Sequence, residues 1–171
     1  VNAMAADAAG AVTDLFGGQD DLRRGVIRCV GDPAERFAED ALRMLRALRF
    51  AARLSFCIDG ETAAAIHAAR IRLRAVAPER LHKELSGILC GRQAAALLEE
   101  FSDVLFEFIP ELAPCQGFRQ YNPHHTRDVW THTLAVVDGV PPEEPLRLAA
   151  LLHDAGKPAT FFFDKNLVGH F

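Results

Sequence analysis

Residues 32 to 54 constrain the fold more than any other stretch of this chain. Asp32 precedes Pro33, and good helix formers follow to Leu54. An aspartate at this position accepts hydrogen bonds from free helix amides, and proline suits the first helical turn. The pattern predicts one long helix. At about 100° per residue, Phe37, Ala41, Met44, Leu45, Leu48 and Ala52 fall on one stripe, with Arg36, Glu39, Asp40, Arg43 and Arg46 opposite. The apolar stripe must be buried against other elements. The charged face reads, from periodicity alone, either as a solvated salt-bridged surface or as a functional one.

Further helices are expected at Gly60 to Ala69, Pro78 to Leu89, Arg92 to Phe101 and Val104 to Ile109, with the short connections of a helical bundle. Upstream, Val12 to Leu15 and Val26 to Val30 read as strands around a Gly17-Gly18 turn and a short helix, Asp20 to Arg24. A Pro-containing stretch, Pro110 to Pro123, leads to a histidine-rich end: five of the seven histidines lie in the last 48 residues. The reading is mainly α, with boundaries near residues 30 and 120.

Composition narrows the class. No apolar run reaches the roughly 18 to 20 residues of a membrane helix, so no membrane partner is expected. The net charge of -4 argues against a uniformly basic nucleic-acid wrapper. Twelve of the sixteen arginines nevertheless lie between Arg23 and Arg80, which leaves room for a local basic face. Arg23, Arg24 and Arg70 to Arg74 are candidate contacts to an RNA backbone, or simply solvated. Cys29, Cys57, Cys90 and Cys115 have no metal-knuckle spacing and read as reduced thiols of a cytoplasmic protein. The opening Val1-Asn2-Ala3-Met4 has no start signal and reads as part of a longer chain.

Two groups of residues carry chemistry. His132 sits on an expected helix, His125 to Val137, and His153-Asp154 closes the next, Pro145 to Asp154. Two antiparallel helices can bring two imidazoles and a carboxylate together as a transition-metal site with open positions. NPHHTRDVWTH, Asn122 to His132, and LAALLHDAGKP, Leu148 to Pro158, resemble the HD superfamily of metal-dependent phosphohydrolases. The resemblance implies a divalent metal held by His132, His153 and Asp154. His125, about two turns before His132, and Asp128 fall on the same helix face and, with His170, are candidate supporting or substrate-facing groups. A fourth ligand is not assigned.

The second group begins with Asn2-Ala3-Met4-Ala5 and continues through Asp14 to Leu22, Val26 to Arg28, and Gly31 to Arg46. These segments resemble bacterial tRNA nucleotidyltransferases of the CCA-adding and poly(A) polymerase family. The resemblance implies that Asp40 and Arg43 of the EDxxR element read the base edge of incoming CTP or ATP. Arg46 lies beside them, and Asn2 contacts sugar or phosphate. A carboxylate accepts from the exocyclic amine shared by C and A, and a guanidinium donates to ring acceptors. An i, i+3 pair on a rigid helix would hold that pattern in place. Asp14, Gly17 and Gly18 match the family's flexible hinge element. Arg80 and Glu84 match a later element, and equally read as an i, i+4 ion pair.

The resemblance divides the chain into three. Residues 1–30 would be the end of an α/β nucleotidyltransferase head, 31–120 a helical neck and body, and 121–171 a partial HD domain. The expected partners are tRNA, ATP and CTP. The head carboxylates that would hold Mg2+ for phosphoryl transfer are not found in these residues, so they are expected to add no nucleotide alone. Three alternatives stay open: a poly(A) polymerase or a CC- or A-adding enzyme, an HD phosphatase or 2',3'-cyclic phosphodiesterase, and a non-catalytic RNA-binding body.

Overall fold

The computed structural model describes residues 4–119, 127–165 and 169–171. It is mostly helical, as expected. Two short strands, β1 (Met4–Ala6) and β2 (Val12–Asp14), pair antiparallel ahead of helix α1 (Gly18–Arg24). Gly17 enters this helix with φ 74°, a left-handed geometry that glycine adopts without steric cost. The next strand, β3 (Val26–Ile27), is shorter than the expected Val26 to Val30. It pairs in parallel with β4 (Cys57–Ile58), a strand too short to leave a periodic signal.

The expected long helix is two helices. Asp32 caps α2 (Pro33–Glu39), its carboxylate accepting from Ala34 N at 2.7 Å. The chain then leaves helical geometry at Asp40, with φ −151° and ψ 105°, and resumes in α3 (Leu42–Leu54). Asp40 stabilises the break itself: its Oδ1 accepts from Leu42 N at 3.1 Å, a local bond that competes with the helical ladder. Helix formers on both sides conceal this interruption. The apolar stripe survives it, because Phe37, Met44, Leu45, Leu48 and Ala52 are all buried. Ser55 ends α3 in the left-handed region at φ 58° and turns the chain into β4.

Next come α4 (Gly60–Ala69), a 3-10 turn at Arg70–Ala75, and α5 (Pro78–Leu89); both helices have the boundaries read from the sequence. Thr62 ties α4 to the segment after β3, its hydroxyl accepting from Cys29 N at 3.0 Å. Two short helices follow, α6 (Ala94–Glu100) and α7 (Ser102–Leu105), in place of the longer pair expected over 92–109. After a 3-10 turn at Pro110–Cys115 come α8 (Val129–Gly139), α9 (Glu144–Leu152), α10 (Lys157–Thr160) and an antiparallel pair, β5 (Phe162–Phe163) with β6 (Gly169–His170). One buried apolar cluster runs from Phe37 to Leu151, so α8 and α9 share the core of the preceding helices.

Helix α3 lies against α5, and the loop after α5 closes on its end. Arg92 N donates to the free Ala52 carbonyl at 2.9 Å, satisfying an orphan acceptor of the last helical turn. The approach leaves no space for a side chain at Gly91. An added Cβ would overlap Ala52 Cβ and stand 2.7 Å from the Ala52 carbonyl carbon. Gly91→Ala is therefore expected to destabilise the fold by about 1–3 kcal/mol, the range for overpacking a close-packed site. Urea unfolding checks this, and wild-type stability in the variant would contradict it.

Candidate functional site

A groove of about 890 Å3 opens between α2, α3, β3 and α5. Arg36, Arg43, Arg46, Arg49, Arg53 and Lys83 line it, and Glu84 is the one carboxylate among its lining residues. So uneven a lining produces a positive potential in a concave site, where low-dielectric walls focus it. The arginine-rich middle of the sequence thus has a spatial counterpart.

Ion pairs organise the groove. Glu84 is buried at 5% exposure and binds two guanidiniums from α3, Arg49 Nε at 2.6 Å and Arg46 Nε at 3.5 Å. Arg80 pairs instead with Asp40 Oδ2 at 3.1 Å. The Arg80 and Glu84 pair considered from the sequence is replaced by these two longer-range contacts. Arg43 binds Glu39 and donates to the Arg36 carbonyl at 3.2 Å, while Arg36 Nη1 lies 2.9 Å from Glu39 Oε1. Arg43, followed by Arg36, holds the Glu39 carboxyl below the usual range.

Arg43 and Arg46 therefore lie in the groove, whereas Asp40 is not among its lining residues and its carboxylate is engaged by Arg80. Asp40 and Arg43 are close neighbours, with Arg43 N bonded to the Asp40 carbonyl at 3.1 Å. They are not an i, i+3 pair on one helix, because Asp40 stands at the break. Asn2 lies outside the described residues.

Asp14, Gly17 and Gly18 form one turn. Asp14 accepts from Gln19 N at 2.8 Å, Gly18 N at 2.9 Å and Phe16 N at 3.3 Å. These amides, Gln19 first, hold its carboxyl below the ordinary value. The suggested contacts at 70–74 are largely neutralised: Arg70 lies 3.3 Å from both Asp103 and Glu107, and Arg74 lies 2.7 Å from Glu107.

At the other end, the three residues expected to bind metal do come together. His132 is on α8, and His153 and Asp154 directly follow α9 rather than closing it from within. The potential ligand atoms of all three lie within 4.8 Å of one another. His153 Nε2 is 3.4 Å from His132 Nε2 and 3.2 Å from Asp154 Oδ2, and His132 Nε2 is 3.7 Å from that oxygen. His153 Nδ1 faces the Ala150 carbonyl at 2.8 Å, which assigns its proton to Nδ1 and leaves the Nε2 lone pair toward the cluster. Asp154 Oδ2 is buried without a hydrogen bond of good geometry, although Lys157 Nζ lies 2.8 Å away. Two converging imidazole nitrogens and a buried carboxylate oxygen suit a divalent cation.

The proposed supporting residues are placed differently. Asp128 caps α8, accepting from Thr131 N at 2.6 Å and from Gly117 N at 3.0 Å. His170 pairs with Asp164 at 3.4 Å on the β5–β6 hairpin and is outside the three-residue cluster. His125 lies outside the described residues. Sequence reading passed over Arg49, Arg53 and Lys83, whose role emerges only when α3 and α5 are placed side by side.

Comparison with known proteins points the same way. A family model described as "Probable RNA and SrmB- binding site of polymerase A" matches residues 55–115. The CCA-adding enzyme of Ligilactobacillus salivarius is 39% identical over 139 residues, covering 77% of this chain and 34% of that protein. The CCA-adding enzyme of Bacillus stearothermophilus, solved in complex with CTP, superposes with a TM-score of 0.62 at 29% identity, covering 91% of this chain and 42% of that one. A tRNA nucleotidyltransferase solved with a primer tRNA and an incoming ATP analog gives a TM-score of 0.53 at 29% identity, covering 75% and 42%. The chain spans about a third of the length of the curated relatives it matches. Family model, relatives and solved structures together support the CCA-adding enzyme family.

The Asp128 cap makes a pH-dependent contribution. Burial raises its pKa, but hydrogen bonds from Thr131 and Gly117 outweigh that effect, so the folded value lies below the unfolded one. The stabilisation is present above the unfolded value, about 3.9, and is lost as pH falls through the folded value. Asp128→Ala should cost about 1 kcal/mol at neutral pH, with the difference from wild type vanishing in acid. Denaturant midpoints from pH 7 to 2.5 test this, and a pH-independent difference would contradict it.

Proposed function

We propose that this chain is the nucleotide-selecting neck, the body and part of the HD module of a tRNA nucleotidyltransferase that adds CCA to tRNA 3' ends from CTP and ATP. In this reading residues 1–30 end the head, 31–120 form neck and body, and 121–171 begin the HD domain. Asp40 and Arg43 select the base, with Arg46 beside them. The single observation that carries the reading is the position of Arg43 in a cation-lined groove, next to Asp40 at a helix break. The chain's likeness to CCA-adding enzymes, including one solved with CTP, supports it.

Selection then has a physical sequence. In the free protein Asp40 is held by Arg80 and Arg43 by Glu39. An incoming base whose edge complements both groups exchanges these exposed or half-exposed pairs for charge-assisted hydrogen bonds, whereas G or U leaves one unmatched. Phosphoryl transfer itself is assigned to head carboxylates holding Mg2+, and these 171 residues alone add no nucleotide. The proposed role lies among tRNAs in the cytoplasm; among the described residues no helix is long and apolar enough to cross a membrane.

The test uses a longer chain that includes the head, with tRNA lacking its 3' end and each nucleoside triphosphate. Asp40→Ala and Arg43→Ala should each lower discrimination against GTP and UTP by about 10- to 100-fold, the value of a hydrogen bond to a charged group. Unchanged selectivity would overturn the assignment. Incorporation of A alone would favour the poly(A) or A-adding alternative.

The cluster of His132, His153 and Asp154 supports a second, hydrolytic module. A divalent cation there would activate water toward a phosphoester, with a 2',3'-cyclic phosphate as the candidate substrate. Calorimetry with Mn2+ should show binding that His153→Ala weakens at least about tenfold. Equal binding by the variant would remove the cluster from consideration.

A further inference from the structure

We infer that Lys157 is a resident cation of the His132, His153 and Asp154 cluster, one that opposes a divalent metal, so that metal and a phosphate anion bind there cooperatively. The inference deepens the reading of the cluster as a divalent-cation site and rests on it. The turn after α9 builds the arrangement. His153 and Asp154 directly follow that helix, and Lys157 N donates to the Asp154 carbonyl at 3.1 Å, which folds the start of α10 back onto Asp154. Lys157 Nζ lies 2.8 Å from Asp154 Oδ2. It also stands over the Phe171 ring, 4.9 Å from its centre, where the face of the ring attracts a cation.

One oxygen therefore faces two kinds of partner. Asp154 Oδ2 is the atom on which the cluster converges, with His153 Nε2 at 3.2 Å and His132 Nε2 at 3.7 Å, yet the Lys157 ammonium stands closer to it than either imidazole. The Asp154 and Lys157 side chains are 9% and 19% exposed, so water screens neither charge well. Asp154 is the one carboxylate of the cluster among the described residues, and Lys157 cancels its charge.

A divalent cation held by Oδ2 would stand beside the ammonium, with excess positive charge in a poorly solvated place. That arrangement is unfavourable unless the ammonium withdraws or an anion offsets the charge. A phosphate group, with several acceptor oxygens, can satisfy metal and ammonium together. Each ligand then lowers the cost of binding the other, and linkage makes the coupling equal in both directions. A lysine that only pinned the turn would have the opposite effect: it would keep the carboxylate in place for the metal, and its removal would weaken metal binding.

Calorimetric titration of the 171-residue chain with Mn2+, with and without inorganic phosphate, tests this. Phosphate should raise the Mn2+ affinity of the wild type by about 5- to 150-fold, the usual span of coupling between sites, and Mn2+ should raise phosphate affinity by the same factor. Lys157→Met and Lys157→Gln should each bind Mn2+ alone at least about tenfold more tightly than wild type, because a like charge has been removed from a poorly screened site. Phosphate should add little further in either variant. Mn2+ should also raise the melting temperature of each variant by more than that of wild type, a comparison that holds even where the substitution lowers the stability of the metal-free protein.

Mn2+ binding that is equal in wild type and both variants, or weaker in the variants, would overturn the inference while leaving the metal cluster standing. Coupling to phosphate that persists undiminished in both variants would do the same. No Mn2+ binding by wild type or variants, with phosphate or without it, would refute the cluster reading itself and the inference with it.

Discussion

The close approach of α3 and α5 is the constraint on which the remaining structure depends. It rests on missing side chains at two positions, Gly87 and Gly91, and on one buried charge. Gly91 lets the loop after α5 meet the end of α3, and Gly87 receives the stem of Arg49. Glu84 lies between the helices at 5% exposure. Burying a carboxylate costs several kcal/mol unless cations and hydrogen bonds compensate it, so Glu84 requires α3 arginines nearby. The requirement that joins the two helices therefore also orders one wall of the groove.

The break at Asp40 has a comparable double role. A continuous helix from residue 33 to 54 would carry Asp40 and Arg43 on one rigid face. The break instead gives Asp40 an extended backbone, allowing its carboxylate both to bond Leu42 N and to meet Arg80 from α5. The two groups proposed to read the base thus begin from paired positions. Selection by exchange of partners needs such a starting state, because each ion pair resists any base that cannot replace it.

Much of this was legible in the amino-acid sequence because it depends on local rules. The Asp32 cap, the apolar stripe through Met44 and Leu48, and the boundaries of α4 and α5 all follow from capping and helical periodicity. His132, His153 and Asp154 were legible as a set because their spacing suited two antiparallel helices. Contacts between distant residues were not. Glu84 lies four positions from Arg80, which invites a local pair, yet tertiary packing directs it to Arg46 and Arg49. Asp128 reads in sequence as a supporting group, and a capping aspartate looks the same there; the structure shows it capping α8. The interruption at Asp40 lacked a Gly or Pro to mark it, and β4 was too short for a pattern to show.

The most direct test of the account is a map of backbone amide shifts for this chain titrated with CTP, ATP, GTP and UTP. The account predicts that CTP and ATP perturb the amides around Asp40 to Arg49 and around Lys83 to Gly87. GTP and UTP should leave the amides around Asp40 and Arg43 near their free positions. Equal shifts at Asp40 and Arg43 for all four nucleotides, or shifts confined to the cluster of His132 and His153, would contradict it.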